Sequence, residues 1–251
     1  MHKSPATYHT LKPFLDLFQA GLPVLMYHKI AEPPPRARLK GLYVRPERFA
    51  RQLTELHEAG FVPSRPGAGN NENGSHKHIS LTFDDGFRNV WEHALEPLAA
   101  HRFTATQFLV ANFIGRLNQW EIREGEVHEP LMDVVQVREW LKAGHRIGSH
   151  SLSHPYLTRL SIRDAREEIV SSKKKLEDTF GVGVEDFCYP YGNWNETVRD
   201  IVIEAGYHTA CAADYGVNTP DISPYSLRRI TVRYPTRSLK VLKARLLGRE
   251  K

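Results

Sequence analysis

Two short segments of this 251-residue chain combine residue types that can bind a metal ion and activate water. Asp84 and Asp85 end an apolar run that begins at Leu81, and His150 and His154 lie four residues apart in a Ser-rich segment. One carboxylate and two imidazoles can form a facial set of metal ligands that leaves positions open for water or substrate. The second carboxylate remains available as a base. The pattern therefore predicts hydrolysis by a metal-activated water.

Neither segment is specific when taken alone. Asp-Asp-Gly is common in ordinary turns, and paired histidines also occur in turns that face solvent. In a helical turn, however, the spacing of His150 and His154 would place their Cβ atoms about 5–6 Å apart on one face. Adjacent side chains alternate in a strand, but a turn at Gly86 would let Asp84 and Asp85 reach one site. No Walker-type glycine loop supports phosphoryl transfer instead.

The elements that must position these segments alternate between short apolar strands and amphipathic helices. Strands are predicted at 23–27, 79–83, 104–110, 146–148, 187–189, 208–212 and 227–232, and helices at 46–59, 90–100, 133–143, 161–180 and 196–205. Repeated strand–helix units predict an α/β fold, a closed or distorted (β/α) barrel of about seven parallel strands. Chemistry in such barrels lies at the ends of the strands, so we expect the two segments to converge on one rim.

Two further expectations follow from the same pattern. The clearest helix begins after Ser161 and ends at Gly181, with a predicted buried stripe. That stripe consists of Ile162, Ala165, Ile169, Leu176 and Phe180. Residues 111–130 form a long irregular connection, which in a compact domain usually shapes a binding cleft.

The composition is that of a soluble globular protein, with 41% hydrophobic and 25% charged residues. A chain of this length can form one domain, which we predict to span residues 1–251 with its core at about 23–232. The sequence contains no transmembrane run and no secretory signal, which predicts a cytoplasmic protein. The two cysteines, Cys188 and Cys211, are expected to be reduced and packed as small apolar residues.

The net charge of +5 is most concentrated near the end of the chain, where residues 238–251 are predicted to form a basic helix. One interpretation is a terminal helix docked on the domain with a solvated basic face. The other is peripheral contact with an anionic surface at the inner membrane face. Nucleic acid is not an expected partner, because no binding motif accompanies the charge.

Three motifs together resemble a known family. Leu81-Thr82-Phe83-Asp84-Asp85-Gly86, His150-Ser151-Leu152-Ser153-His154 and Pro190-Tyr191-Gly192 are similar to the motifs of the polysaccharide deacetylases of carbohydrate esterase family four, the NodB-homology domain. The resemblance extends from about Pro23 to Val232. It implies a NodB-type distorted barrel and the removal of acetyl groups from N-acetylated amino sugars.

The resemblance also implies roles for the motif residues. Asp84 would be the general base, and Asp85, His150 and His154 would bind Zn²⁺ or another divalent transition metal such as Co²⁺ or Ni²⁺. The backbone N–H of Tyr191 would stabilise the negative charge that develops on the acyl oxygen.

The chain departs from the family pattern in two places. Cys188 replaces the arginine that usually orients the catalytic aspartate, and Leu227-Arg228-Arg229-Ile230 replaces the usual Leu-x-His motif of the general acid. Both departures resemble the poly-N-acetylglucosamine deacetylase branch, which also carries an early Leu25-Met26-Tyr27-His28 string. We therefore predict that His28 is the general acid and that Arg229 orients Asp84. The alternative for His28 is a buried structural histidine.

Several aromatic residues fall in predicted loops near the same rim, where sugar rings could stack on them. They are Trp120, Tyr156, Trp194 and Tyr215, and ordinary packing is the alternative for each. The predicted function is metal-dependent N-deacetylation of an N-acetylated amino sugar in a glycan, oligosaccharide or lipid-linked saccharide. Two alternatives remain open: an amidase or deformylase for a small acylated amine, and a non-catalytic glycan-binding module.

Overall fold

The computed structural model describes residues 8–68, 77–121 and 126–233. The strands in these ranges are β1 (Val24–Tyr27), β2 (Lys29–Ile30), β3 (Tyr43–Val44), β4 (Phe61–Pro63), β5 (Lys77–Phe83), β6 (Thr106–Leu109), β7 (Arg146–Ser149), β8 (Asp186–Cys188), β9 (Thr209–Tyr215) and β10 (Leu227–Thr231). The helices are α1 (Leu15–Ala20), α2 (Pro46–Glu58), α3 (Arg88–Ala100), α4 (Val134–Lys142), α5 (Ile162–Phe180) and α6 (Glu196–Glu204).

Seven parallel strands close into a barrel. Their order is β1-β10-β9-β8-β7-β6-β5, and β5 pairs again with β1 to complete the ring. The strand β1 therefore lies between β10, the last strand of the barrel along the chain, and β5, the second, with Leu25 opposite both Ile230 and Leu81. The predicted (β/α) barrel of about seven parallel strands is confirmed.

The remaining strands lie outside the ring. The first half of β5 pairs with β4, while β2 and β3 form a separate two-stranded parallel sheet. β2 begins at Lys29, two residues after β1 ends, so the chain enters this small sheet directly after His28 at the rim of the barrel.

Local sequence signals explain where several helices begin and end. Pro46 occupies the first turn of α2, and Asp133 forms a capping box with Gln136 at the start of α4. The Ser161 hydroxyl accepts a hydrogen bond from the Asp164 amide at the start of α5, and Gly181 ends that helix with φ of 70°.

Three details differ from the sequence predictions. Ile162 is 63% exposed rather than buried, although Ala165, Ile169 and Leu176 of the same stripe are buried. Tyr215 is the last residue of β9 and does not lie in a loop. The segment from His150 to His154 forms bends and no helical turn, so helix geometry does not bring the two histidines together.

Both cysteines are free and buried, as predicted, and they lie opposite each other in the register of β8 and β9. Among the described residues, none of the helices has both the length and the apolar character needed to cross a bilayer. The basic helix predicted at 238–251 lies outside the described residues, so its structure and its membrane contact stay predictions.

Candidate metal centre

Asp85, His150 and His154 meet just beyond the ends of β5 and β7. Oδ1 of Asp85 lies 3.5 Å from Nε2 of His150 and 3.3 Å from Nε2 of His154. One ligand atom from each residue lies within 4.8 Å of the others, so a single ion can reach all three. The backbone is left-handed at Asp85 (φ 75°), Ser151 (φ 64°) and His154 (φ 63°). Such conformations are uncommon for these residue types and concentrate at functional sites.

The chemical states of His150 and Asp85 fit a divalent cation. Nδ1 of His150 lies 2.7 Å from the Cys188 carbonyl oxygen, so it donates there and its Nε2 lone pair faces Asp85. Burial and the neighbouring His154 lower the pKa of His150 to about 4, which keeps this ring neutral. Burial opposes the ionisation of Asp85, but His154 and the other histidines hold the pKa of its carboxyl below the usual value.

One carboxylate oxygen of the ligand group lacks a hydrogen bond within the part of the chain that the structure describes. Among the described residues, no group hydrogen-bonds to Oδ1 of Asp85, although this oxygen is buried. An ionised oxygen without a partner in the interior is costly unless a cation or water compensates it. This orphaned oxygen, facing two imidazole nitrogens, supports a metal-binding role for the group.

The neighbouring Asp84 is held away from the ligand group by Arg229. Nη1 and Nη2 of Arg229 donate to the two Asp84 oxygens at 2.7 and 2.8 Å, and Nε donates to the Ala212 carbonyl. Asp84 and Arg229 are 3% and 1% exposed. Burial works against the charge of Asp84, but the Arg229 guanidinium outweighs it and the pKa of this carboxyl is lowered. Asp84 is therefore an ionised carboxylate.

Cys188 occupies the space beneath this ion pair. Its Sγ accepts a hydrogen bond of 3.1 Å from Nη2 of Arg229 and lies 3.7 Å from Oδ2 of Asp84. Burial raises the pKa of Cys188 well above the usual value, so the side chain stays a neutral thiol. Asp84, His150 and Cys188 also lie close enough for a shared ion, but both Asp84 oxygens are already bound by Arg229.

His28 lies on the other side of Asp84. Its Nε2 is 3.9 Å from Oδ2 of Asp84, and its side chain is 16% exposed. Burial lowers the pKa of His28 although Asp84 and Asp85 oppose this shift. The sequence-predicted acid and base thus lie together at the exits of β1 and β5.

These groups line a pocket of about 240 Å³. Its wall is formed by Met26, His28, Leu39, Leu42, Asp84, Asp85, Trp120, Glu121, His150, His154, Tyr189, Tyr191, Gly192, Ala213, Arg229, Thr231 and Arg233. The pocket therefore gathers all seven residues predicted as metal ligands or catalytic groups. Trp120 and the 41% exposed Tyr191 supply aromatic surface beside them.

The other three aromatic candidates do not line this pocket. The Tyr156 ring stacks on Tyr191 with centroids 3.9 Å apart, and the Arg159 guanidinium lies 4.2 Å above the Tyr156 ring. Because both faces of Tyr156 are covered, a sugar cannot stack on it in this arrangement. Trp194 stacks on Tyr189 and donates to Asp214, and Tyr215 packs against the core.

A buried ionic network beside the pocket was not predicted from the sequence. Nζ of the fully buried Lys29 lies 3.2 Å from Glu121 and 3.0 Å from Glu129, and Glu121 also accepts from Asn118 at 2.7 Å. The Tyr43 hydroxyl donates to Glu129. The sequence signal that could have found this network is adjacency, because Lys29 follows the candidate acid His28 and Glu121 follows the candidate aromatic residue Trp120.

Comparison with known proteins agrees with this geometry. The polysaccharide deacetylase family model matches residues 71–210. YxkH of Bacillus subtilis (strain 168), a protein named for the same family, is 26% identical over 85% of this chain and 72% of its own length. The peptidoglycan-N-acetylglucosamine deacetylase PgdA of Listeria monocytogenes is 31% identical over 55% of this chain, which spans only 26% of PgdA.

Solved structures show the same barrel. The Streptococcus pyogenes deacetylase PplD, in complex with acetate, has a TM-score of 0.73 and 25% identity over 92% of this chain and 98% of its own. IcaB from Ammonifex degensii also has a TM-score of 0.73, with 24% identity over 89% of this chain and 96% of its own.

Proposed function

Because the chain belongs to the polysaccharide deacetylase family, we propose that it is a metal-dependent carbohydrate N-deacetylase. The substrate is an N-acetylated amino sugar in a glycan, an oligosaccharide or a lipid-linked saccharide, and acetate is released. The observation that carries the proposal is the buried Asp85, His150 and His154 group beside Asp84, whose charge Arg229 maintains.

In this mechanism, Asp85, His150 and His154 hold a divalent ion, with Zn²⁺ as the first candidate and Co²⁺ or Ni²⁺ as alternatives. The ion supplies a Lewis acid for the water and for the acyl oxygen. Asp84 accepts the proton that the attacking water loses, and the bidentate contact with Arg229 fixes the direction of its carboxylate. The backbone N–H of Tyr191 stabilises the negative charge on the acyl oxygen.

His28 completes the reaction as the general acid. Because burial lowers the pKa of His28, its ring begins neutral; the proton that Asp84 takes from the water passes to Nε2, 3.9 Å away, which then donates it to the amide nitrogen as the C–N bond breaks. The products are acetate and a free amine, and one water is consumed. Acetate bound to PplD, a protein of the same fold, supports this product.

The shape of the pocket supports a single sugar unit entering next to aromatic surface. Tyr191 and Trp120 lie on the wall, while Trp194 and Tyr215 would contribute only where a longer chain extends beyond the pocket. We propose further that residues 1–251 form one catalytic domain with its core at 23–232, acting in the cytoplasm. Its substrate there would be a biosynthetic intermediate.

The first experiment measures acetate release from N-acetylglucosamine oligomers by metal-free, Zn²⁺-loaded and Co²⁺-loaded protein. Asp84→Asn should lower kcat by about 10²–10⁴-fold while metal stays bound, because it removes the base and no ligand. His28→Gln should lower kcat by about 10²-fold with the same metal content. Asp214→Asn is the matched control, because Asp214 is exposed and lies outside the pocket.

The outcomes separate the alternatives. Metal-dependent release that is lost in Asp84→Asn supports the reaction and the base. Release only from small formylated or acylated amines would replace the carbohydrate substrate by the amidase alternative. Binding of the oligomers without acetate release from any loaded form would favour a glycan-binding module, and wild-type protein that binds no divalent ion would refute the proposed mechanism.

A further inference from the structure

The two histidines of the metal centre are held in different ways. The His150 ring is oriented by a hydrogen bond from Nδ1 to the Cys188 carbonyl, as most metal-binding histidines are. Nδ1 of His154 is buried, and among the described residues it has no hydrogen-bond partner. Something other than a hydrogen bond must therefore fix the rotation of the His154 ring.

Aromatic side chains pack against His154 from two directions. The Trp120 ring stacks on it with centroids 4.7 Å apart and an interplanar angle of 27°. Tyr191 contacts it edge-to-face, with centroids 4.5 Å apart and an angle of 69°. Tilting the imidazole out of this plane would break the stack with Trp120, so the contact holds the ring plane in which Nε2 lies 3.3 Å from Oδ1 of Asp85.

Trp120 is itself fixed by a contact with Phe113 and by the contacts of the next residue, Glu121. Phe113 packs edge-to-face against its ring, with centroids 5.4 Å apart. The next residue, Glu121, accepts hydrogen bonds from Asn118 at 2.7 Å and from Lys29 at 3.2 Å. Lys29 is fully buried in β2, so this ion pair ties the connection that carries Trp120 to the barrel rim.

We propose that Trp120 is a positioning residue for the metal ligand His154, and that the Lys29–Glu121 ion pair holds Trp120 in place. This inference rests on the metal binding in the proposed function. The connection after β6 then becomes part of the metal centre, although none of its described residues belongs to the Asp85, His150 and His154 group. Groups that orient a ligand typically contribute 10–100-fold in metal affinity, and we expect Trp120 to act within that range.

The test compares metal affinities of the full-length variants. Co²⁺ is titrated into metal-free protein and followed by its visible absorption, and Zn²⁺ affinity is obtained by competition with a chromophoric chelator. Trp120→Ala should weaken binding by about 10–100-fold and alter the Co²⁺ spectrum. Trp120→Phe should retain most of the affinity because it keeps a stacking ring, whereas Glu121→Gln should give a smaller loss than Trp120→Ala.

Controls separate positioning from folding. Trp91→Ala removes a tryptophan on α3 that lies outside the pocket, and it should leave the affinity and the spectrum unchanged. Circular dichroism of each metal-free variant shows whether it is folded before metal is added. If Trp120→Ala is unfolded without metal, Trp120→Leu is titrated in its place, since it keeps part of the apolar volume but removes the ring.

Each result bears on one claim. Wild-type affinity and spectrum in folded Trp120→Ala or Trp120→Leu would overturn the positioning role and leave the metal centre intact. An equal loss in Trp120→Phe would overturn stacking as its cause. Wild-type protein that binds neither ion would instead refute the metal-dependent function on which the inference rests.

Discussion

The ion pair between Asp84 and Arg229 allows a quantitative prediction. Arg229 donates to both carboxylate oxygens, at 2.7 and 2.8 Å, and neither side chain is more than 4% exposed. Arg229→Met keeps much of the volume but leaves Asp84 charged, buried and without its cation. Breaking a buried pair by removing one partner costs about 3–5 kcal/mol, so we expect a loss of that size in the free energy of unfolding.

A double-mutant cycle isolates the pair from the other contacts of Arg229. Asp84→Asn alone replaces the charged two-oxygen acceptor of the Arg229 guanidinium by a neutral group with one oxygen. This single variant should therefore also destabilise the protein. In Arg229→Met with Asp84→Asn, no uncompensated charge remains, so the combined loss should be smaller than the sum of the single losses by about 2–3 kcal/mol. The remaining loss reflects the contacts of Arg229 with Ala212, Thr82 and Cys188.

Urea denaturation at neutral pH, followed by circular dichroism, measures all four proteins. A chelator is present throughout, so that metal binding does not contribute to the difference. Single losses that add within about 0.5 kcal/mol would refute the reasoning, because independent sites add in this way. Arg229→Lys is the conservative control, and it should recover part of the stability because it keeps the charge but not the two-point contact.

Two further predictions concern positions away from this pair. Gly192→Ala should destabilise the protein more than Gly181→Ala. Both glycines have φ near +70°, so alanine is strained at either position. A Cβ at Gly192 would also lie 2.7 Å from the Ala213 backbone nitrogen, whereas a Cβ at Gly181 would have no atom within 4 Å. We expect about 1 kcal/mol for Gly181→Ala and about 1–3 kcal/mol more for Gly192→Ala, and equal losses in urea denaturation would contradict this. Burial lowers the pKa of His145 to about 4. As the pH falls from 6.5 to 4, His145 is therefore protonated in the unfolded chain before it is protonated in the folded protein, and the free energy of unfolding decreases. His145→Phe should remove as much as about 3 kcal/mol of that fall. Parallel pH profiles for His145→Phe and wild type would show that His145 is not responsible.

The sequence predicted the site best where chemistry and strand position coincide. Asp84, Asp85, His150 and His154 follow apolar strands, and parallel strands in a barrel bring such ends to one rim. The contact of Arg229 with Asp84 was expected only from the family resemblance, because it joins strands far apart in the sequence. Lys29 and Glu121 were not predicted, since charged residues usually lie at the surface and sequence does not show which ones pair in the interior.

Ile162 and Tyr156 differ from the sequence predictions for a related reason. Periodicity placed Ile162 on the buried stripe of α5, yet it is 63% exposed as the first residue of that helix. A helical pattern gives the face on which a residue lies, but not whether a neighbouring element reaches that far. Tyr156 shows the same limit, because its sequence position near the rim did not reveal that Tyr191 and Arg159 cover its ring.

The closure of the barrel determines when the site can assemble during synthesis. β1 leaves the ribosome well before its neighbour β10, which is made about 200 residues later, so Leu25 must wait for Ile230. Until β10 docks, Asp84 is a carboxylate without Arg229, and the ring of strands is open along one edge of β1. Pairing of such distant segments is slow, so the nascent chain exposes an apolar strand edge until β10 has been made and has docked. The arrival of Arg229 therefore completes the fold and the base of the site in the same step.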